Sequence, residues 1–177
     1  RLGWQQNYLD NRLRFGVTAA SRVYLTQRRE YRGLFANQGE FDIPPFLGAG
    51  VTFQPTETFT ASFDIQHILW STVDSIGRSG PTVDQFAPEG CTSTTPEECK
   101  LGGDKGWGFG WEDQTVYKAG VDYDPTWSLF GMSAKPLTLR AGFNYGESPI
   151  PERQVLFNTL APATVETHVT AGATYRL

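Results

Sequence analysis

The stretch Pro162–Leu177, PATVETHVTAGATYRL, alternates between two kinds of residue along its length. Its odd-numbered positions are small or apolar, and its even-numbered positions are mostly polar, including Glu166, His168 and Arg176. Successive side chains of an extended chain point to opposite faces, so this period predicts a strand with one apolar and one polar face. The two faces meet either a protein core and water, or lipid and a wet lumen.

The same two-residue period recurs upstream, and no helix is required by the pattern. Aromatic residues make up 14% of the chain and there are 19 glycines, a mixture that favours strands and tight turns. The sequence therefore predicts an all-β, antiparallel fold. The predicted strands are 2–9, 13–25, 41–54, 58–73, 111–124, 137–146 and 162–177.

The connections between these strands alternate in length. The short ones lie near Asp10, near Pro55 and at 125–135, and the long ones are 26–40, 74–110 and 147–161. Short turns, long loops and alternating strands of about ten residues are typical of a transmembrane β-barrel. A soluble β-sandwich that binds ligands explains the alternation equally well, but it explains the loop lengths and the mixed charges of the polar face less well. It stays the alternative hypothesis.

Composition narrows the classes of function. The chain has 177 residues and a net charge of -4, which argues against a nucleic-acid partner. Cys91 and Cys99 lie in a loop rich in Gly, Thr, Pro and Glu, which predicts a disulfide and an oxidising compartment. No histidine lies near them, so zinc is not expected. No metal site and no cofactor are predicted elsewhere, although the acidic residues of the long loop could bind calcium weakly: Asp84, Glu89, Glu97, Glu98 and Asp104. The start at Arg1, without Met and inside a predicted strand, indicates a mature product or a fragment.

Two segments carry a resemblance to a known family. They are GWGFGWEDQTVYKAGVDY at 106–123 and LTLRAGFNY at 137–145, followed by SPIP at 148–151 and FNTLAP at 157–162. Together with EFDIP at 40–44 and DIQ at 64–66, they resemble the FadL/TodX family of outer-membrane transporters for long-chain fatty acids and aromatic hydrocarbons. The resemblance runs in order along nearly the whole chain.

The resemblance implies a 14-stranded barrel of the bacterial outer membrane, plugged by an N-terminal hatch and passing ligands without energy input. Only about seven strands are predicted here, so residues 1–177 are expected to form a single C-terminal barrel segment. Its expected partners are the missing N-terminal half, a hydrophobic small-molecule ligand, membrane lipid and lipopolysaccharide. An open sheet in lipid would leave unpaired backbone groups at several kcal/mol each. The C-terminus and short turns are expected to be periplasmic and the long loops extracellular.

Candidate ligand contacts are aromatic and apolar residues of the long loops, although packing within the loops or an interfacial aromatic girdle explains them as well. They are Trp107, Phe109, Trp111, Phe157 and Leu160. The polar face supplies the predicted lumen lining, where opposite charges pair across strands. It comprises Arg14, Arg22, Asp64, Gln66, Lys118, Asp122, Arg140, Asn144, Glu166, His168 and Arg176.

Catalysis finds little support in the sequence. His67 and His168 are the only histidines, and no pattern ties Ser62 or Asp64 to either of them as a nucleophile and an orienting acid would require. No catalytic residue is therefore predicted. An outer-membrane enzyme stays a third hypothesis.

Overall fold

The computed structural model describes residues 1–39, 41–81, 95–125, 128–129, 132–133 and 137–175. Its main element is one antiparallel sheet of seven strands, and a separate two-stranded hairpin joins two of them. The sheet strands are β1 (Leu2–Tyr8), β2 (Leu13–Ala20), β3 (Phe46–Thr56), β4 (Phe59–Ile68), β5 (Gln114–Tyr123), β8 (Leu137–Gly146) and β9 (Thr167–Tyr175). The hairpin strands are β6 (Ser128–Leu129) and β7 (Met132–Ser133). The prediction of an all-β antiparallel fold is confirmed.

Strand order in the sheet is β1-β2-β3-β4-β5-β8-β9, so each strand pairs with the next strand of this sheet along the chain, and only the β6-β7 hairpin is passed over. The register places polar residues opposite polar residues. In one row Asp64 pairs with Lys118, Lys118 with Asn144, and Asn144 with His168. Because facing residues point to the same side of a sheet, the alternation seen in each strand becomes one continuous polar face and one continuous apolar face.

The apolar face is not covered by protein in the described part of the chain. Trp4 is 55% exposed, Phe63 and Phe143 are each 47% exposed, and Val169 is 77% exposed. A β-sandwich would bury such residues against a second sheet, and the described strands form only one large sheet. The sandwich hypothesis is therefore wrong for these residues, and an apolar surface of this extent requires a covering such as lipid.

The polar face carries all the glycines of the described sheet strands: Gly3, Gly16, Gly48, Gly50, Gly120, Gly142, Gly146 and Gly172. Some of them make room for a neighbour, since a Cβ on Gly50 would overlap the Asp64 carboxylate. A trough of about 820 Å³ runs over this face from β1 to β5. A trough over a face that carries every strand glycine is consistent with the inner side of a barrel wall.

Several predicted strands are longer than the observed ones. β2 ends before Leu25, β3 begins after Phe41, β4 ends before Val73, β5 begins after Trp111, and β9 begins after Pro162. The extra residues leave the ladder at the loop end of the sheet. Val23 pairs with Ile43 only as an isolated bridge, and Pro44 and Pro45, which lack N–H donors, separate that bridge from β3.

The helical segments are short and lie in the loops. Those in the described residues are α1 (Ala36–Gly39), α2 (Asp74–Gly77) and five 3-10 turns at Arg29–Tyr31, Trp70–Thr72, Pro96–Cys99, Glu152–Gln154 and Phe157–Leu160. No helix in the described residues is long and apolar enough to span a membrane. The connections after β2, β4 and β8 all leave the same end of the sheet, and we call their described residues together the loop cap (21–39, 41–45, 69–81, 95–113 and 147–166).

Candidate functional site

The loop cap holds the packed core of the described chain. Ala36, Val73, Ile76 and Leu101 are its buried apolar residues, whereas none of the described strand residues of the large sheet is a buried apolar one. Backbone hydrogen bonds join separate loops, since Ala36 N–H donates to the Leu101 carbonyl at 2.9 Å. The loops after β2 and β4 therefore form one structure at this end of the sheet.

A buried ion pair ties the first loop together. Asp42 Oδ2 lies 2.7 Å from Arg22 Nε, the Asp42 side chain is fully buried, and its Oδ1 accepts the Leu25 N–H at 3.0 Å. Arg22 also donates from Nη1 to the Thr72 carbonyl at 3.0 Å, which joins this loop to the one after β4. Arg22 is thus beyond the end of β2 and pairs within the loop cap. The prediction that it lies on the polar face of a strand is wrong.

A buried amide ties the last loop to the long one. Asn158 is 2% exposed and donates from Nδ2 to the carbonyls of Phe109 at 2.6 Å and Gln154 at 2.9 Å. Its Oδ1 accepts the indole N–H of Trp111 at 2.6 Å. Because both ends of the amide are satisfied, Asn158 fixes Trp111 relative to the loop after β8.

The five predicted ligand-contact residues lie in the loop cap. Phe109 and Phe157 stack with ring centroids 5.4 Å apart, which is a packing contact between two loops. Trp107 and Trp111 are half-buried, and Leu160 is 78% exposed. The structure therefore gives Phe109 and Phe157 a structural role beside any contact with ligand. Ligand contact by these five residues stays a prediction.

Most of the predicted lumen-lining residues lie on the polar face of the sheet, and the others lie elsewhere. Those on the polar face of the sheet are Arg14, Asp64, Gln66, Lys118, Asp122, Arg140, Asn144 and His168. Glu166 lies one residue before β9, where its Oε1 accepts the Ser148 N–H at 3.0 Å. Arg176 is outside the described residues.

Cross-strand contacts join the polar face. Arg140 Nε lies 2.9 Å from Asp122 Oδ1, and Arg140 Nη1 donates to Thr174 Oγ1 at 2.7 Å. Lys118 Nζ donates to Gln66 Oε1 at 2.9 Å. The polar face thus carries both acidic and basic side chains, and they contact one another across neighbouring strands, as the sequence predicts.

A pocket missed by the sequence reasoning lies on the polar face directly under the loop cap. Its volume is about 520 Å³. It lies at the loop end of β5, β8 and β9, and we call it the rim pocket. Its wall is aromatic on one side and polar on the other, formed by Trp70, Trp111, Pro149, Gln114, Asn144 and His168.

The sequence carried a partial signal for this pocket. Trp70 and Trp111 flank the predicted ends of two consecutive strands, so pairing of those strands brings them together. An interfacial girdle, however, explains tryptophans at strand ends as well. The structure instead places both rings at a pocket over the polar face.

Neither histidine belongs to a catalytic arrangement in the described part of the chain. His67 Nδ1 bonds to Thr115 Oγ1 at 2.9 Å, and His67 lies on the opposite face from Ser62 and Asp64. His168 shares a row with Asp64 but stands three strands away, roughly 14 Å at ordinary strand spacing. No group of three or more potential metal ligands is found in the described residues.

The predicted disulfide is only partly within the described chain. Cys99 ends the 3-10 turn Pro96–Cys99, and Cys91 lies outside the described residues. The pairing of the two therefore stays a prediction.

One sheet with an uncovered apolar face and a polar, glycine-lined face that carries a trough defines a wall segment of an outer-membrane β-barrel. The family profile described as "Outer membrane protein transport protein (OMPP1/FadL/TodX)" matches residues 11–177, and the chain belongs to this family. Its members are outer-membrane proteins of Gram-negative bacteria, which assigns the chain to that membrane. The family is one of transport proteins and not of enzymes.

Comparison with solved structures gives the same fold. The chain is similar to the toluene transporter TodX of Pseudomonas putida, with a TM-score of 0.53 and 16% identity. The match covers 99% of this chain and 39% of TodX, so the chain spans well under half the length of that protein. A comparison with curated proteins gave no match.

Proposed function

We propose that this chain forms part of the wall of an outer-membrane channel for the passive uptake of hydrophobic small molecules, such as long-chain fatty acids or aromatic hydrocarbons. The observation that carries the proposal is the division of one sheet into an exposed apolar face and a polar face that carries a trough. Lipid covers the first, and the second lines a lumen with Asp64, Lys118, Asp122 and Arg140. Membership in a family of outer-membrane transport proteins supports the same function.

The open edges of the sheet extend this proposal to the rest of the barrel. β1 and β9 each pair with only one neighbour in the described chain. Unpaired strand edges cannot stand in hydrocarbon, because their N–H and C=O groups find no partner there. Further strands therefore continue the sheet from both edges, and they belong to a longer barrel of which this chain is one segment.

The loop cap and the short turns then lie on opposite sides of the membrane. In this family's barrels the long loops face the outside, so the loop cap sits over the external mouth of the channel. Hydrophobic ligands meet the exposed apolar residues of its last loop first, among them Val155, Leu156 and Leu160. Lipid and lipopolysaccharide are the partners of the outer surface in this arrangement.

Uptake by the full-length protein in proteoliposomes tests the function. Radiolabelled toluene and oleate are added outside, and entry is followed in vesicles that contain an internal trapping protein. Entry faster than in empty vesicles, with no need for a proton gradient or nucleotide, is the expected result. Entry at the rate of empty vesicles for both compounds overturns the proposal.

A second measurement locates the pathway. Lys118 is replaced by Cys in the full-length protein and is then modified with a bulky, membrane-impermeant thiol reagent, since this position lies in the polar trough. Modification is expected to slow uptake. Phe63→Cys on the apolar face is the matched control, because the reagent does not reach a lipid-covered position.

A further inference from the structure

The rim pocket has an aromatic wall formed by two loop-cap residues, one just after β4 and one just before β5. The rings of Trp70 and Trp111 meet edge to face, with centroids 5.0 Å apart and an interplanar angle of 80°. Aromatic rings pack favourably in edge-to-face pairs. The ring of an aromatic ligand can pack against this pair in the same way. The pocket volume of about 520 Å³ lies in the ordinary range for small-molecule sites.

Both indole N–H groups are already engaged within the protein. Trp111 donates to Asn158 Oδ1 at 2.6 Å, and Trp70 donates over a longer 3.5 Å to Gln114 Oε1. The two rings therefore present mainly carbon surface to the pocket. Val116 and Pro149 extend this apolar wall.

The opposite wall offers an amide and an imidazole, two side chains that can form hydrogen bonds. Asn144 and His168 pair across β8 and β9 and point to the polar face. In the described chain neither side chain makes a hydrogen bond to another residue, so the amide and the imidazole are both available to a ligand.

Glu166 is the only carboxylate among the described residues that line the pocket, and neither Lys nor Arg is among them. One of its oxygens accepts the Ser148 N–H. A negative charge placed in this pocket lies near this exposed carboxylate and is repelled by it. Lys118 is the cross-strand partner of Asn144, but its Nζ donates to Gln66 on β4, and neither Lys118 nor Gln66 lines the pocket. Anionic headgroups are therefore disfavoured here.

We propose that the rim pocket is a binding site for neutral aromatic compounds that carry a hydroxyl group, and that it discriminates against aromatic and aliphatic carboxylates. The ring packs on Trp70 and Trp111, and the hydroxyl bonds to Asn144 and His168. Glu166 supplies the discrimination. This proposal rests on the proposed function, because the ligand reaches the pocket through the channel mouth.

Benzyl alcohol and benzoate form a matched pair of probes, since they share a ring and differ in the charge of the headgroup. Binding to the full-length protein in nanodiscs at pH 7 is measured by saturation-transfer NMR titration. Benzyl alcohol is expected to bind about fivefold more tightly than benzoate, the ratio that repulsion between two solvated charges at close range produces. Equal affinities overturn the proposal.

Glu166→Gln tests the source of the discrimination. Glutamine keeps an oxygen acceptor for the Ser148 N–H and removes the charge, so the pocket keeps its shape. The ratio of the two affinities is expected to fall below about threefold because benzoate binds better. An unchanged ratio overturns the role of Glu166.

Fluorine-labelled tryptophan locates the probe without changing the pocket. Benzyl alcohol is expected to shift the resonances of Trp70 and Trp111 and to leave that of Trp107, which lies outside the pocket, unchanged. Trp70→Leu is expected to weaken benzyl alcohol about tenfold, and Trp107→Leu to leave it unchanged. Binding without any shift at Trp70 or Trp111 places the ligand elsewhere and overturns the proposal.

The two proposals fail in different ways. Uptake of toluene in proteoliposomes without a preference for benzyl alcohol in nanodiscs overturns the rim pocket and leaves the channel. A preference that depends on Glu166, combined with no uptake of any compound, overturns the channel and leaves the pocket as a binding site.

Discussion

Asp42 and Asp122 each face an arginine at hydrogen-bonding distance, but their surroundings differ. Asp42 is fully buried beside Arg22 and accepts a backbone N–H as well. Asp122 and Arg140 are each about half exposed, at 48% and 49%. Removing one partner of a buried pair leaves the other charge uncompensated, whereas exposed pairs contribute little.

Asp42→Asn is therefore expected to destabilise the loop cap by about 3 kcal/mol, because Arg22 loses its partner in a buried site. Asp122→Asn is expected to cost less than about 1 kcal/mol. Hydrogen exchange of the Val23 and Ile43 amides, which bond to each other's carbonyls, measures the first change against the second. Equal effects of the two substitutions would contradict this interpretation of burial.

Two glycines of the loops make a second matched pair. A Cβ on Gly106 would overlap the carbonyl oxygen of Lys100, which is backbone and cannot move aside cheaply, whereas a Cβ on Gly33 would meet no atom within 4 Å. Gly106→Ala is expected to open the long loop to limited proteolysis, at a cost of roughly 1–3 kcal/mol. Gly33→Ala is expected to leave the digestion pattern unchanged, and equal cleavage of the two variants would refute the expectation.

Contacts of this kind lie beyond what the sequence predicts. Arg22 and Asp42, or Trp111 and Asn158, are joined by the folding of separate loops, and nothing in their local sequence pairs them. Alternation predicted Arg22 on a strand because its neighbours continue the pattern. The loop contact with Asp42 overrides that local preference.

At the level of the strand, the sequence predicted more. A period of two has a direct geometric cause, so the two faces of β4, β5, β8 and β9 follow from the pattern alone. The strand ends do not follow from the pattern. Apolar residues such as Val23 continue the alternation, but Val23 pairs only in an isolated bridge outside the named strands. The alternation likewise does not distinguish lipid from a core, and only the uncovered apolar face of the folded sheet decides that question.

We expect the two faces of β4 to differ in how well they tolerate an introduced charge. Phe63→Arg places a cation on the apolar face near mid-strand and is expected to destabilise the barrel by about 2–4 kcal/mol. Ser62→Arg places the same side chain on the polar face and is expected to cost under about 1 kcal/mol. Urea unfolding of the full-length protein in lipid vesicles compares them. A larger cost for Ser62→Arg would reverse the assignment of the faces.

In the described chain, the sheet is open and the buried apolar residues lie outside it, in the loop cap. Residues of the loop cap pack together, while the sheet itself exposes its apolar face and both edges. The number of strands could be predicted from the sequence, and so could the incompleteness of the barrel. The rim pocket could not, since it depends on how the loops after β4 and β8 fold over the outer ends of β5, β8 and β9.

The 177-residue chain produced alone is expected to be insoluble in plain buffer. Its exposed strands and edges associate between copies because edge pairing and apolar burial both favour it. Ultracentrifugation without detergent measures this, with the full-length protein refolded in detergent as the control. A stable monomer of the isolated chain in plain buffer would contradict the assignment as a barrel wall.

The placement of the strand glycines separates two properties that a channel must combine. A larger residue at Gly120 or Gly172 changes the bore at that level, while the surface that meets the membrane keeps every atom. In the proposed channel, substitutions on this face are therefore expected to change which compounds pass without changing the surface that inserts into the membrane. The same wall could then serve channels for different compounds, because lumen-facing and lipid-facing residues alternate along each strand.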